Sequence, residues 1–280
     1  MEGTGQLCSK PDAPAIGARA LAWQTVVRRI EFPTRMADVR RIPPSQRHIL
    51  SGLLDPRSVS DALAAYYGLL HPVERVALFG FFPGNHVPSG FLALARTGMD
   101  LFRPLAVPFV GTLQAMTALL RVALEPNRPV LLHVPLEQRS WVEEVAELTD
   151  AKPIDLLRLD TARYRPVINV LVVETAAPGG WPRFEIRSGE DAVAAAGVNW
   201  IGTSYAEIYL EVAEVAMGRG FGRSVLSALA SRLVADGKVP IYPVTEDDWP
   251  TVMEAEELGF RRTGDRRWMA QALRRDPGAA

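Results

Sequence analysis

The chain has 280 residues, 48% hydrophobic and 22% charged, with a formal net charge of -1. That is the profile of a globular protein with room for two domains, and near-neutrality gives no electrostatic case for a nucleic-acid partner. No apolar run approaches the roughly twenty residues a bilayer-crossing helix needs, so no membrane partner is expected.

The opening stretch "MEGTGQLCSKPDAPAIGARA" lacks the apolar core of a secretory signal and reads as a flexible lead-in. Its lone cysteine, Cys8, has no internal disulfide partner, which points to a cytoplasmic protein. Residues 1–45 are read as this lead-in together with N-terminal elements.

Strands are expected at "RVALFGFF" and "GFLALART", with a third within "LFRPLAVPFV". The turn chemistry from Pro83 to Gly90 marks a hairpin loop that is also a candidate substrate loop. "LQAMTALLRVAL" is a helix, with Leu113, Met116, Leu119, Leu120 and Leu124 in register. "RPVLLHVPL" follows as a strand, "SWVEEVAEL" as a helix and "IDLLRL" as a strand. His48, His71, His86 and His133 are scattered, without metal-ligand spacing, so no metal is expected. His133 reads as a buried strand residue rather than a catalyst.

The second half repeats the order. "RFEIR" is a strand, Ser188 to Asp191 a turn, and "AVAAAGVNWIG" the hairpin partner. Tyr205 to Val212 is a strand, with Ile208, Leu210 and Val212 on alternate positions. From Arg223 to Asp236 the period becomes helical, with Gly237 as C-cap and Lys238 at the negative end. "VPIYPV" is a strand whose two prolines suit a sheet edge or a splay. A short helix runs from Trp249 to Leu258, Gly259 ends it, and closing strands lie near Phe260 and "RWMAQAL". The expected fold class is mixed α/β, a tandem of two similar domains at 46–150 and 151–274. The joint lies near Asp150 to Arg165, and a short tail at 275–280 frays. The alternative is one α/β domain with a long N-terminal extension.

Between strand and helix, Gly218, Gly220 and Gly222 stand at alternate positions. Glycines there let backbone N–H groups approach a ligand, and the helix start aims unpaired amides and a positive dipole at the same spot. A phosphate or pyrophosphate is the expected occupant, with Arg219 and Arg223 adding charge. A tight turn needing positive φ is the plainer explanation, but one glycine suffices for that. The dinucleotide pattern G-x-G-x-x-G fails at Arg223, and a P-loop fails because the segment has no lysine.

The run "LEVAEVAMGRGFGR" resembles motif A of the GNAT superfamily of acyl-CoA-dependent N-acyltransferases. Leu210, Val212, Gly220 and Gly222 match, and Gly218 with Arg219 fits the frequent "RGRG" form. Met217 and Glu214 depart from it. Downstream, "VTEDDWPTVMEAEELGF" resembles the family's second signature. Leu258, Gly259 and Phe260 match, whereas Asp248 replaces the usual asparagine and Ala255 the usual tyrosine.

The resemblance implies a GNAT-like C-terminal domain and a degenerate GNAT-like N-terminal half, which has Gly111 alone at the matching junction. It implies acetyl-CoA or another acyl-CoA as co-substrate, its pyrophosphate on the amides of Gly218, Arg219, Gly220, Phe221, Gly222 and Arg223. Its pantetheine arm would pair with the main chain of Leu210 to Val212, and Asp248 would lie near it, although capping the next helix suits that residue better. The N–H of Val212 would polarise the thioester carbonyl. A carboxylate base is expected on the same strand, Glu207 ahead of Glu211; four positions apart, the two share a face. Without the tyrosine at 255, Tyr209, Tyr242 or a water protonates the leaving thiolate, or it leaves unassisted. Trp200 and Trp249 flank the expected cleft or pack in the core. The expected activity is transfer of a short acyl group to a small-molecule amine or amino acid. A CoA-binding regulator or sensor without turnover is the alternative, and a purely structural tandem is the third reading.

Overall fold

The structure, a computed structural model, describes residues 38–275 apart from 85, 99 and 178. The lead-in, Cys8 and residues 276–280 of the expected tail lie outside the described residues.

The N-terminal half begins with edge strand β1 (Val39–Ile42), a 3-10 helix (Pro44–Leu53), the short α1 (Ala62–Ala65) and a π-helical turn (Tyr66–Leu70). Then come β2 (Val76–Phe81), β3 (Gly90–Ala95), β4 (Leu105–Phe109), α2 (Leu113–Ala123), β5 (Val130–Pro135), α3 (Arg139–Glu143) and β6 (Ala146–Leu159). The C-terminal half has β7 (Val173–Ala176), β8 (Pro182–Ser188), β9 (Asp191–Ile201), β10 (Tyr205–Val212), α4 (Phe221–Ala235), β11 (Val239–Thr245), α5 (Trp249–Leu258) and β12 (Phe260–Arg274).

The described strands form one twelve-stranded sheet in the order β1-β2-β3-β4-β5-β12-β6-β11-β10-β9-β8-β7. Each half is an antiparallel set followed by a helical crossover to a parallel strand: β4 to β5 through α2, and β10 to β11 through α4. The tandem reading therefore holds, and a single domain with an N-terminal extension does not. The halves also trade their last strands. β6 pairs with β11 of the second half, and β12 pairs with β5 of the first. Together β6 and β12 form a long antiparallel ladder at the centre of the sheet. The boundary expected at 150/151 falls inside β6.

Two element expectations need correction, and a third is narrowed. The helix read in "SWVEEVAEL" stops at Glu143, and by Ala146 the chain is already a strand. Pairing along β12 overrides the local helical pattern, as tertiary context often does. The two closing strands are one, β12, whose register shifts between Arg262 and Arg266 around Gly264, at φ +83°. β11 is central, so of the two positions its prolines suited, the splay is the one it occupies.

Alternate strand residues face opposite sides of the sheet. On β3, Leu92 packs under α2 with Met116, Leu119 and Leu120, whereas Phe91, Ala93 and Ala95 face the helical segment 44–70. In the second half, Ala206 and Ile208 pack under α4 with Val225, Leu229 and Leu233. The segment 44–70 covers the opposite face of both halves, where its Tyr66 stacks on Trp200 at 5.2 Å. The N-terminal half thereby delivers side chains to the strand that precedes the glycine segment.

Candidate functional site

β10 and β11 pair in parallel only over Tyr205–Glu207 and Val239–Ile241, then separate. On its other edge β10 continues along β9 as far as Val212. The Ala213 N–H donates to the Val193 carbonyl at 2.9 Å. By antiparallel alternation, residues 209, 211 and 213 bond to β9, and the peptide N–H groups of Leu210 and Val212 turn into the gap.

The glycine segment closes one end of that gap. Gly218 and Gly220 both have φ +71°, and a Cβ built on either meets nothing. Gly220 is the N-cap of the fifteen-residue α4 and supplies no side-chain cap. Between 218 and 223, Arg219 alone finds a backbone acceptor, Ala216 at 3.4 Å. The amides of Gly218, Gly220, Phe221, Gly222 and Arg223 have no acceptor among the described residues. Gly222 does different work: a Cβ there would sit 3.0 Å from Val212 Cγ2 and 3.4 Å from Leu210 Cδ2, so its bareness lets α4 lie close on β10. The Arg219 guanidinium stacks over Phe221 at 4.9 Å, and Arg223 is paired with Glu257. Of the two cations read from the sequence, Arg219 is thus the one without an ion-pair partner among the described residues.

The matching junction in the N-terminal half is closed. β4 and β5 also separate early, after two paired positions. However, the Thr112 hydroxyl caps α2 by accepting from Ala115 N–H at 3.2 Å, and Gln138 Nε2 donates to the Val110 carbonyl at 3.0 Å.

On the sheet face away from α4, a cavity of about 980 Å³ lies between the halves. Tyr66, Tyr67 and His71 of the first half line it, with Trp181, Asn199, Tyr209 and Glu211 of the second. Glu207, Tyr209 and Glu211 share the face, as their spacing requires, but their surroundings differ. Glu211 is exposed and pairs with Arg183 at 3.2 Å, while Arg183 also donates to the Tyr209 hydroxyl at 2.6 Å. Glu207 is 8% exposed and does not reach the cavity wall; it accepts from Asn199 Nδ2 at 3.1 Å. Burial pushes its carboxyl above the ordinary range, partly opposed by Asn199 and Arg267. The Trp200 indole N–H also favours the ionised form from nearby, although it makes no full hydrogen bond among the described residues.

His71 is tied in on both sides. Its Nε2 lies 3.1 Å from the Arg96 carbonyl, which only accepts, so Nε2 carries the proton and Nδ1 takes the Tyr66 hydroxyl at 3.4 Å. Burial holds its pKa below the usual value. Tyr67 is 3% exposed, and its hydroxyl has no hydrogen-bond partner among the described residues. Burial and the nearby Glu207 raise its pKa, keeping it protonated.

The other expected residues fall as follows. The Asp248 carboxylate accepts from Thr251 N–H at 3.2 Å, so it caps α5. Ala255 is fully buried, and Tyr242, just past the β10–β11 separation, is pushed to a high pKa by burial, then by Asp248 and Glu254. Trp200 is core, Trp249 is exposed, and His133 lies on β5 with its pKa lowered to about 4 by burial, then by Arg267. The Pro83–Gly90 loop is the β2–β3 hairpin. Among the described residues no cluster of His, Cys, Asp or Glu suits a metal, and no helix is long and apolar enough to cross a membrane. Sequence reasoning missed Tyr67 and Asn199. Asn199 is the extra residue of a bulge in β9, since Trp200 faces Glu207 and Val198 faces Ile208; no local pattern announces it.

Residues 187–269 match the family model described as FR47-like protein. No curated protein matches the sequence. Among solved structures, a Drosophila protein from a structural genomics consortium is similar at 13% identity and TM-score 0.60, over 83% of this chain and 98% of that one. A tandem GNAT protein from the clavulanic acid biosynthesis pathway is similar at 12% identity and TM-score 0.54, over 86% and 99%. A GCN5-related N-acetyltransferase from Sphaerobacter thermophilus is similar at 11% identity and TM-score 0.53, over 86% and 96%. The chain thus has the GNAT fold in its tandem layout, and its C-terminal half carries the FR47-like, GNAT-related pattern across residues 187–269.

Proposed function

We propose that the protein is a cytoplasmic acyl-CoA-dependent N-acyltransferase, moving an acetyl or other short acyl group onto the amine of a small molecule or amino acid. One observation carries this reading: five backbone amides at the start of α4 lack acceptors among the described residues, while the equivalent helix in the other half is capped by its own threonine. Unpaired amides at a helix N-terminus favour a phosphate group. In this reading the amides of Gly218 and of Gly220 to Arg223 hold the pyrophosphate, with the Arg219 side chain beside them. The gap beyond Glu207 and Ile241 takes the pantetheine arm along Leu210 to Val212.

The chemistry is an exchange of bonds at the thioester carbonyl. The amine nitrogen attacks, a C–N bond forms, the C–S bond breaks, and the nitrogen loses a proton. In this reading the Val212 N–H stabilises charge developing on the carbonyl oxygen. Glu211, on the cavity wall, takes the proton from the nitrogen in this reading, directly or through a water, and Glu207 acts from behind Asn199. Tyr242 stays protonated and serves as donor to the departing thiolate, in the role that Ala255 leaves open. No metal enters this scheme.

A second reading, a CoA-binding sensor without turnover, is favoured by Ala255 and by the exposed Met217 in place of the family's Arg or Gln. Calorimetric titration with acetyl-CoA, followed by a thiol-release assay over a set of amines, separates the two. Binding with turnover supports the enzyme, and binding without turnover supports the sensor. Absence of binding ends both.

A further inference from the structure

We infer that the acceptor is a primary amine received between the two halves, one N–H accepted by the Tyr67 hydroxyl of the N-terminal half and the other by the Asn199 carboxamide oxygen of the C-terminal half. Glu207 is the positioning residue that fixes the Asn199 amide. This inference rests on the acyltransferase reading and deepens it.

The cavity wall contains two polar groups that the protein leaves unused. Tyr67 is 3% exposed, lines the cavity, and its hydroxyl has no partner among the described residues. Its neighbour Tyr66 is engaged with His71, which is itself tied to Arg96, so that chain of bonds is complete without Tyr67. A hydroxyl that opens on a cavity from an otherwise buried ring, with no partner among the described residues, is available to a ligand or a water.

Asn199 is the second group. The β9 bulge removes it from the regular pairing with β10 and re-aims its side chain. Its Nδ2 donates to Glu207, and a carboxylate oxygen accepts. The amide is thereby oriented, with Oδ1 left over, and that oxygen has no partner among the described residues while the residue lines the cavity. Glu207 itself stays out of the wall.

A neutral primary amine has two N–H groups and one lone pair. Two acceptors on the wall of one cavity take both hydrogens and leave the lone pair free to attack, and the proton that the nitrogen gives up as the C–N bond forms passes to the Glu211 carboxylate on the same wall, directly or through a water. A secondary amine has one hydrogen and leaves one acceptor unpaired, so the site discriminates between the two. Tyr66, Trp181 and Tyr209 supply apolar surface for the rest of the acceptor.

The test uses the full chain with acetyl-CoA and three amine pairs: propylamine, glycine and 2-phenylethylamine, each with its N-methyl counterpart. Initial rates, acetyl-CoA Kd by calorimetry and Tm are measured for wild type, Tyr67→Phe, Asn199→Ala, Glu207→Ala and the Asn199→Ala/Glu207→Ala double variant. Wild type prefers at least one primary amine over its N-methyl partner. In Tyr67→Phe and in Asn199→Ala the amine KM rises about tenfold, as for one lost hydrogen bond, and the preference shrinks, with acetyl-CoA Kd unchanged. In the double variant Glu207→Ala adds little to Asn199→Ala, because the two act as one unit. A merely structural role would move Tm and Kd instead. Unchanged amine KM in both single variants, with Kd and Tm intact, overturns the inference and leaves the acyltransferase reading standing. Acetyl-CoA binding with no turnover of any amine overturns the inference in favour of the sensor reading, and no acetyl-CoA binding by wild type removes the acyltransferase reading itself.

Discussion

Gly220 and Gly222 stand two positions apart and fail for different reasons when replaced. Gly220 has φ +71° with open space around it, so a side chain there is strained by its backbone alone and projects where an anion would sit. Gly222→Ala puts a methyl 3.0 Å from Val212 Cγ2, a tight contact to which the Val212 side chain must yield at the α4–β10 packing. The expected outcome is a divergence: Gly220→Val weakens acetyl-CoA binding at least tenfold, or about 1.4 kcal/mol, while Gly222→Ala mainly lowers Tm. Calorimetry beside thermal melts resolves the two, and the idea fails if Gly220→Val leaves the Kd unchanged. Glu207 offers a second test at this scale. Its folded pKa is raised, so the stability of its neutral form is fully present below the unfolded pKa and is lost as pH rises through the folded one. Glu207→Gln removes that loss. The variant is therefore expected to melt higher than wild type at pH 8 and equally near pH 4, and a variant that melts lower at pH 8 contradicts the burial argument.

Elements were legible in proportion to how local their causes are. The helix after the glycines, the hairpin of β8 and β9, and the α5 cap at Asp248 depend on neighbours in sequence, and all were read from residues. The continuation of β6 from Ala146 depends on pairing with β12, more than a hundred residues away, so a helical pattern misled there. The unpaired amides at the start of α4 were legible because glycine marks them. The acceptor wall was not, because Tyr67 and Asn199 are brought to one cavity only through the packing of the 44–70 segment on the far half. Arg47 holds that segment in place. It is 8% exposed and donates to the carbonyls of Gly68 at 2.6 Å, His71 at 2.5 Å and Tyr67 at 2.8 Å. Arg47→Met leaves three carbonyls unpaired, an expected loss of about 3 kcal/mol and roughly 6–12 °C in Tm. Amine KM rises with it if the segment carries Tyr67, and a melt within 2 °C or so of wild type would show that the bonds contribute little.

The whole molecule is bound by its traded strands. β6 begins against β12 inside the first half and ends between β12 and β11 in the second. β12 runs the other way, its outer part against β5. Asp155, 5% exposed in the middle of β6, is bracketed by Arg262 and Arg266 of β12, so charge pairing fixes the same register that the backbone ladder sets. Neither half keeps a complete sheet without a strand from the other, and an isolated half would expose the unpaired edge of β5 or β11. The connection after β6 is largely exposed from Thr161 to Arg163 and makes a natural place for a cut. A protease site inserted between Ala162 and Arg163 is expected to give two fragments that still co-elute on gel filtration and melt in a single transition. The fragment ending at residue 162, expressed alone, is expected to aggregate. Two separate transitions after cleavage, or a well-folded isolated N-terminal fragment, would mean that each half completes its own core and that the strand exchange is dispensable for stability.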